Sequence, residues 1–501
     1  MSPLLIIILI PLLAALISWL GRERAEIVEG AAILGGLGAL LALVSIIWTA
    51  GGKGDALGLL PYLTIDSLGT LILGTAVLIY TCAAIYAVGA LRIEIASRFT
   101  SQERRPTFFI MFHLFGAALF TAAMAGSPIL FWIAIEATTL ATVFCINFYK
   151  LPASTEAAWK YLILSSLGLL LSLFGTLLFL LAQGDSGIGI TTWNELARNA
   201  HTLPPALIRI AAVLVFIGLG TKLGLVPMHT WKPDAYSRAP ISIVAIFSTG
   251  LLNVAFLGLL RFKTVTDSAL GPNFMRGLFV FFGLLSIIVA ALIMLTQGKF
   301  RRLFAYSSIE NAGVMALGVG FGGIAIFGAL LHLLYHTLAK SLLFFTGGVI
   351  QMKYRTHRIE NIRGAIAVLP TTAILFSIGI LAIIGMPPFG LFTSELYIFG
   401  SGFTLHPVLT SIALIALALV FAGMVWKLHR ILFGDPVMNP RLHDALGEDL
   451  HDTKLRERIT GELSPWTLAP AAVLAVLLIL SGIAMPHAII DLISNAATSL
   501  Q

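Results

Sequence analysis

The stretch 331-LHLLYHTLAKSLLFF-345 decides how this chain is read. It is apolar at most positions, yet it carries His332, His336 and Lys340. The spacing is four and four, so in a helix the three side chains share one face. They span about 12 Å of helix axis at a rise of about 1.5 Å per residue, a large part of a bilayer core about 30 Å thick. A lysine at that depth costs roughly 2.5–3.5 kcal/mol on insertion scales, so three titratable groups in line point to proton movement. The plain alternative is two core histidines bonded to a neighbouring backbone and a lysine that snorkels. The mostly apolar run 341–352 argues against snorkelling. A zinc site is disfavoured too, because the two histidines lack a third ligand and the chain holds no HExxH.

Composition agrees with a membrane setting. The chain has 501 residues, 58% hydrophobic and 11% charged, against about 25% charged in soluble domains. It reads as an all-α polytopic membrane protein. Cys82 and Cys145 both sit in apolar runs, so neither a disulfide framework nor a metal cluster follows from them. No charge precedes Arg22, and 3–20 reads as a retained first span rather than a cleaved signal. The net charge of +7 does not indicate nucleic-acid binding, because the basic residues follow membrane topology.

Runs long enough to span fall at 3–20, 27–49, 64–91, 107–125, 127–148, 157–183, 205–230, 240–262, 274–297, 302–321, 324–350, 366–400, 407–433 and 466–486, which makes fourteen. Odd-numbered loops then hold 22 of the 31 lysines and arginines and even-numbered loops 6; Lys160, Lys222 and Lys340 stay inside spans. The positive-inside rule puts both termini outside and the odd loops in the cytoplasm. Prolines interrupt two spans, the seventh at Pro227 and the twelfth at Pro387 and Pro388. Broken helices at corresponding places in two halves point to inverted repeats, here of five helices each. The expected division is 1–105 for spans one to three, 106–265 for the first repeat, 266–434 for the second, and 435–501 for a charged segment and the last span. In 435–464, leucines at 442, 446, 450 and 455 interleave with charges. The segment reads either as a helix lying on the cytoplasmic surface or as a solvated loop.

The titratable groups at membrane depth are the candidate site. Glu136 lies inside the fifth span, Lys222 before the seventh-span break and His229 after it, Glu310 close to Ser307 on one helix face, and Glu395 after the twelfth-span break. Lys160, near the start of the sixth span, is placed to snorkel. Burial raises the proton affinity of a carboxylate and lowers that of a lysine, and a nearby opposite charge reverses the shift. An ion pair between Glu136 and Lys222 that forms and breaks would therefore switch the proton affinity of the lysine.

The runs 221-TKLGLVPMHTWKPDAYSRAP-240, 301-RRLFAYSSIENAG-313, 332-HLLYHTLAKSLLFFTGG-348 and 386-MPPFGLFTSELYIF-399 resemble the proton-translocating antiporter-like subunits of respiratory complex I. They also resemble Mrp-type antiporter subunits and the large membrane subunits of group 4 [NiFe] hydrogenases. The motifs EATTLATVF at 136–144, LLN at 251–253, YSSIE at 306–310 and FTSE at 392–395 look most like the hydrogenase-4 component F type. The resemblance covers roughly 60–435. It implies a proton path through Glu136, Lys222, His229, Ser248, Glu310, His332, His336, Lys340 and Glu395, with Lys160 and Ser307 as accessories. Two positions depart from the pattern: Ser248 stands where complex I relatives usually carry a histidine, and Asn311 where hydrogenase-type relatives often do. No long lateral helix with a further span is expected after 486.

The reading is thus an ion-translocating subunit of a redox-driven complex in the inner (plasma) membrane of a prokaryote. No cofactor is expected in this chain, which lacks cysteine clusters, CxxC and a GxGxxG after a strand. Partner subunits would carry Ni–Fe, Fe–S or flavin groups. A Mrp-type cation/proton antiporter subunit without a redox partner is the first alternative. A subunit of complex I proper and a non-conducting scaffold or carbon-uptake module are the others.

Overall fold

The computed structural model describes residues 2–50, 57–59, 62–182, 191–436 and 461–501. In chain order the elements are α1 (Pro3–Leu20), α2 (Ala25–Ala50), β1 (Leu57–Leu59), β2 (Leu63–Ile65), α3 (Ser67–Ala96), α4 (Arg104–Ala123), α5 (Pro128–Ile146), α6 (Pro152–Leu181) and α7 (Trp193–Arg198). Next come α8 (Pro205–Leu223), α9 (Trp231–Arg238), α10 (Ile241–Leu270), α11 (Asn273–Thr296), α12 (Phe300–Phe321), α13 (Ile324–Tyr354), α14 (Ala365–Val368), α15 (Pro370–Ile383), α16 (Gly390–Leu405), α17 (Pro407–Leu432), α18 (Pro465–Ile483) and α19 (His487–Thr498). Strands β1 and β2 pair antiparallel.

Local chemistry sets many of the boundaries. Seven of these helices begin on a proline, whose missing N–H is one that a first helical turn leaves unpaired. Asp66 and Ser127 cap α3 and α5 by accepting from Gly69 N at 2.8 Å and Leu130 N at 3.2 Å.

Among the described residues, twelve helices are long and apolar enough to cross a membrane. That is two fewer than the fourteen apolar runs. The other two runs are helical as well. One is α12, which carries Arg301, Arg302 and Glu310. The other is broken into α15 and α16. The charged segment expected over 435–464 lies mostly outside the described residues. Beyond the last span the chain adds the short helix α19, which packs on α3 and α13. At twelve residues it is too short to register as a span.

Helix α10 is buried around its whole circumference, and α3 and α13 nearly so. A helix that is apolar all round belongs in a core, and these three form the centre of the molecule. Helices α12, α15, α16 and α18 surround α13, while α6 packs closely on α8. The α6–α8 crossing depends on glycine. A Cβ on Gly218 would lie 2.5 Å from the carbonyl oxygen of Gly168, the close backbone approach that small residues allow between membrane helices.

Both proline interruptions are real breaks. Helix α8 stops at Leu223, Gly224 turns the chain at φ +82°, and α9 starts at Trp231. Helix α15 stops at Ile383, Gly385 has φ +70°, and α16 starts at Gly390. A cis X–Pro bond occurs in each, at Val226–Pro227 and Pro387–Pro388. A third irregularity was not foreseen. Residues Phe247–Leu251 of α10 form a π-helical turn, and Ser248 sits inside it.

Candidate functional site

The first cluster joins α5, α6 and α8. Lys222, the next-to-last residue of α8, is fully buried. Its ammonium donates to Thr139 Oγ1 at 2.7 Å and to Tyr161 Oη at 2.8 Å, and lies 4.8 Å from the Tyr161 ring centroid. Thr139 in turn donates to Glu136 Oε2 at 3.3 Å, and Ser166 donates to the other carboxylate oxygen at 2.9 Å. Glu136 and Lys222 are therefore linked through a hydroxyl rather than in direct contact. Thr139 lies three residues after Glu136, so both project from one face of α5.

The second cluster lies along α13. Lys340 donates to Ser307 Oγ at 2.8 Å. Asn311 Nδ2 donates to Glu310 Oε2 at 2.5 Å and to the Ser307 carbonyl at 2.7 Å. His332 bonds through Nε2 to Asn311 Oδ1 at 3.0 Å and through Nδ1 to Ser394 Oγ at 2.9 Å. Glu310 thus feels the charges of both Lys340 and Glu395. The Glu395 carboxylate rests on the second break, where a Cβ on Gly385 would come within 2.4 Å of Oε2. His336, midway between His332 and Lys340, is fully buried, and neither ring nitrogen has a partner among the described residues. Buried polar atoms are nearly always hydrogen-bonded, so this imidazole calls for ordered water.

Asn253 of α10 ties the three core helices together. Its amide donates to Thr75 Oγ1 on α3 at 3.0 Å and to Thr337 Oγ1 on α13 at 2.9 Å. A separate small cavity of about 30 Å³ opens between α3, α10, α12 and α13, lined by Tyr86, Glu94, Tyr149, Arg301 and Gln351 among others. In the loop after α13, burial pushes the His357 imidazole down to about 4, with Arg301 and other cations adding to the effect.

Several expected residues stand apart from the clusters. Among the described residues, Ser248 donates only to the Ala245 carbonyl, at 3.0 Å. His229 is half-buried on the turn after α8, its ring 6.0 Å from that of Tyr306. Lys160 is exposed and pairs with Glu156 at 2.6 Å and Asp234 at 3.4 Å. Five cations assigned to loops by counting are in fact buried in the protein: Arg105, Lys232, Lys263, Arg301 and Lys427. Lys232 lies in α9, Arg301 donates to the Ala239 carbonyl, and Lys427 donates to the Met294 carbonyl. Thr139, Tyr161 and Ser394 were missed as participants. The three-residue offset from Glu136 was the available signal for Thr139. Nothing local marked Tyr161.

These features define a class: an all-helical polytopic membrane protein with two discontinuous helices and a buried ionisable cluster beside each. The chain belongs to the NADH:quinone oxidoreductase/Mrp antiporter transmembrane family, whose model matches residues 125–421. It is 37% identical over 329 residues to the hydrogenase-4 component F homolog of Methylacidiphilum infernorum (isolate V4), a match covering 64% of this chain and 68% of that protein. Its fold is that of a chain in the structure of the membrane-bound sulfane sulfur reductase, an archaeal respiratory membrane complex. The TM-score is 0.84 at 21% identity, over 100% of this chain and 98% of that one. A chain of the Mrp complex from Dietzia sp. DQ12-45-1b superposes with TM-score 0.82 at 18% identity, over 99% of this chain and 97% of the other.

Proposed function

We propose that this chain is a proton-translocating, antiporter-like membrane subunit of a multi-subunit redox complex of the hydrogenase or NADH:quinone oxidoreductase type. The observation that carries this reading is the row of polar and ionisable side chains at membrane depth, buried except for the half-buried Glu136. It runs from Glu136 through Thr139 and Lys222, then across to His336, Lys340, Ser307, Glu310, Asn311 and His332. Groups of this kind are costly in a bilayer and are kept along ion pathways. The 37% identity to a hydrogenase-4 component F homolog supports the redox setting. Electron transfer in partner subunits would supply the energy. On this reading the chain crosses the plasma membrane of a prokaryote fourteen times with both termini outside. Its two five-helix repeats occupy 106–265 and 266–434.

The test is redox-driven proton uptake by the whole complex in proteoliposomes. Glu136→Gln and Lys340→Met should each abolish proton uptake while leaving the complex assembled. Uptake equal to the parent in both variants would refute the reading. Mass spectrometry and metal analysis of the complex purified in mild detergent identify the partners. Nickel, iron and a hydrogenase-like subunit are the expected result. A second reading, a Mrp-type cation/proton antiporter subunit, draws on the shared fold. Sodium-dependent pH gradients without any electron donor would favour it.

A further inference from the structure

Between the two clusters stands a buried lysine that neither of them uses. Lys232 lies in the first turn of α9, directly after the seventh-span break, and has no exposed surface. Its ammonium donates to the Leu223 carbonyl at 2.7 Å, one of the carbonyls that the end of α8 leaves unpaired. Gly224 makes the space for it: a Cβ there would lie 2.8 Å from Nζ. An ammonium carries three donors, and the bond to Leu223 is the only one it makes among the described residues. A lysine that merely capped α8 would turn its remaining donors toward water. This one holds them inside the protein.

What surrounds it are the ends of both clusters. Tyr236, four residues along the same helix, brings its ring to 5.9 Å from the Lys232 ammonium. On one side, the Tyr236 ring lies 6.4 Å from that of Phe247, which stacks at 5.7 Å on Tyr161, the acceptor of Lys222. Trp231, next to Lys232, lies 5.0 Å from the Tyr161 ring. On the other side, Tyr236 meets Phe344 at 5.8 Å. Phe344 follows His336 and Lys340 at four-residue steps, so all three share one face of α13. The ammonium is within electrostatic reach of His336 and Lys340, the charged groups that face it from α13. Tyr236 Oη and both nitrogens of His336 are buried without a partner among the described residues. The gap between Lys222 and His336 thus holds orphaned polar atoms and one lysine with spare donors. Ser248, on the π-helical turn of α10, bonds among the described residues only to the Ala245 carbonyl of its own helix.

We infer that Lys232 is the intermediate proton carrier between the Lys222 cluster and the His336–Lys340 cluster, passing the proton through water held by Tyr236 and His336. It takes the place that Ser248 does not fill. The inference rests on the proposed proton-translocating function. Chemically the step is a proton moving from one nitrogen to a water and from that water to the next nitrogen, with no other bond made or broken.

The test uses the assembled complex in proteoliposomes and measures protons taken up per electron, from neutral to alkaline pH. Lys232→Gln keeps a donor for the Leu223 carbonyl but carries no titratable proton. Lys232→Arg keeps donor and charge but does not release a proton. Both are expected to assemble and to lose proton uptake by about 100-fold, the lower range for removal of one proton-transfer group. Parental uptake in either assembled variant overturns the inference, because a cap alone is preserved in both. Failure of both to assemble also overturns it and assigns Lys232 a structural role. Glu136→Gln, run alongside, separates the two proposals. If it abolishes uptake while the Lys232 variants do not, the Lys232 inference falls alone. If none of the three changes uptake, the proposed function falls as well.

Discussion

Replacing Thr139 with valine removes one oxygen and preserves the branched shape, so it tests the Glu136–Thr139–Lys222 relay with little change in packing. Thr139 accepts from the Lys222 ammonium at 2.7 Å and donates to Glu136 at 3.3 Å. The first bond is short and charge-assisted, and the second is long. Hydrogen bonds to charged groups contribute about 1.5–3 kcal/mol, which corresponds to a roughly 10- to 100-fold loss of the bridged arrangement. Lys222 keeps its bond to Tyr161, so the helix pair should still assemble. If proton transfer between Glu136 and Lys222 needs the bridge, the rate of redox-driven proton uptake falls by the same factor. Fluorescence-quench assays on proteoliposomes, with electron transfer measured in parallel in the presence of an uncoupler, read this directly. Thr139→Ser restores the hydroxyl and should restore uptake. Parental uptake by the assembled Thr139→Val complex would refute the relay.

Three further outcomes follow from the geometry. Gly218→Val puts a side chain 2.5 Å or closer to a backbone oxygen of Gly168, which cannot rotate away; overpacking of this kind costs about 1–3 kcal/mol, and a lowered melting temperature and yield of detergent-purified complex should register it. Asn311→Leu strands His332 Nε2 and the Glu310 carboxylate together; proton uptake should fall well below the parent with assembly retained, and an unchanged rate would remove Asn311 from the path. His357, held down to about 4 by burial, is neutral in both directions of a scan between about pH 5 and 8, so His357→Gln should leave the pH profile of uptake unmoved.

The spans were legible in sequence because the bilayer imposes a length. Apolar runs at 407–433 and 324–350 became helices at Pro407–Leu432 and Ile324–Tyr354. Both breaks were legible from proline chemistry. The shared face of His332, His336 and Lys340 was legible from helical period alone. Lys232 was not. In 231-WKPDAYSR-238 a charged, proline-bearing segment reads as a loop. It lies inside because it is the second half of a broken span and is wrapped by other helices. The hydroxyl bridge at Thr139 was hidden for a different reason. Local spacing places it beside Glu136, but only the packing of α5 on α6 and of α6 on α8 brings Lys222 to it.

The two clusters share a feature that bears on how a proton pathway is switched. In each, a hydroxyl contacts the lysine: Thr139 at Lys222 and Ser307 at Lys340. Neither carboxylate pairs directly with its lysine among the described residues: Glu136 accepts from Thr139, and Glu310 accepts from Asn311, whose amide also donates to the Ser307 carbonyl. A direct contact at about 3 Å is worth roughly 5 kcal/mol at an effective dielectric constant near 20, and a separation of about 5 Å roughly 3 kcal/mol. Direct pairing would fix the lysine in its protonated state and oppose release. At Lys222 the hydroxyl-separated arrangement gives up roughly 2 kcal/mol of that hold, since Coulomb energy falls as the inverse of distance. A rotamer change or a modest helix shift is then enough to move the proton. On the proposed function, each hydroxyl keeps its lysine in place while leaving its charge free to change, and an aspartate at Thr139 would lock what a threonine leaves poised.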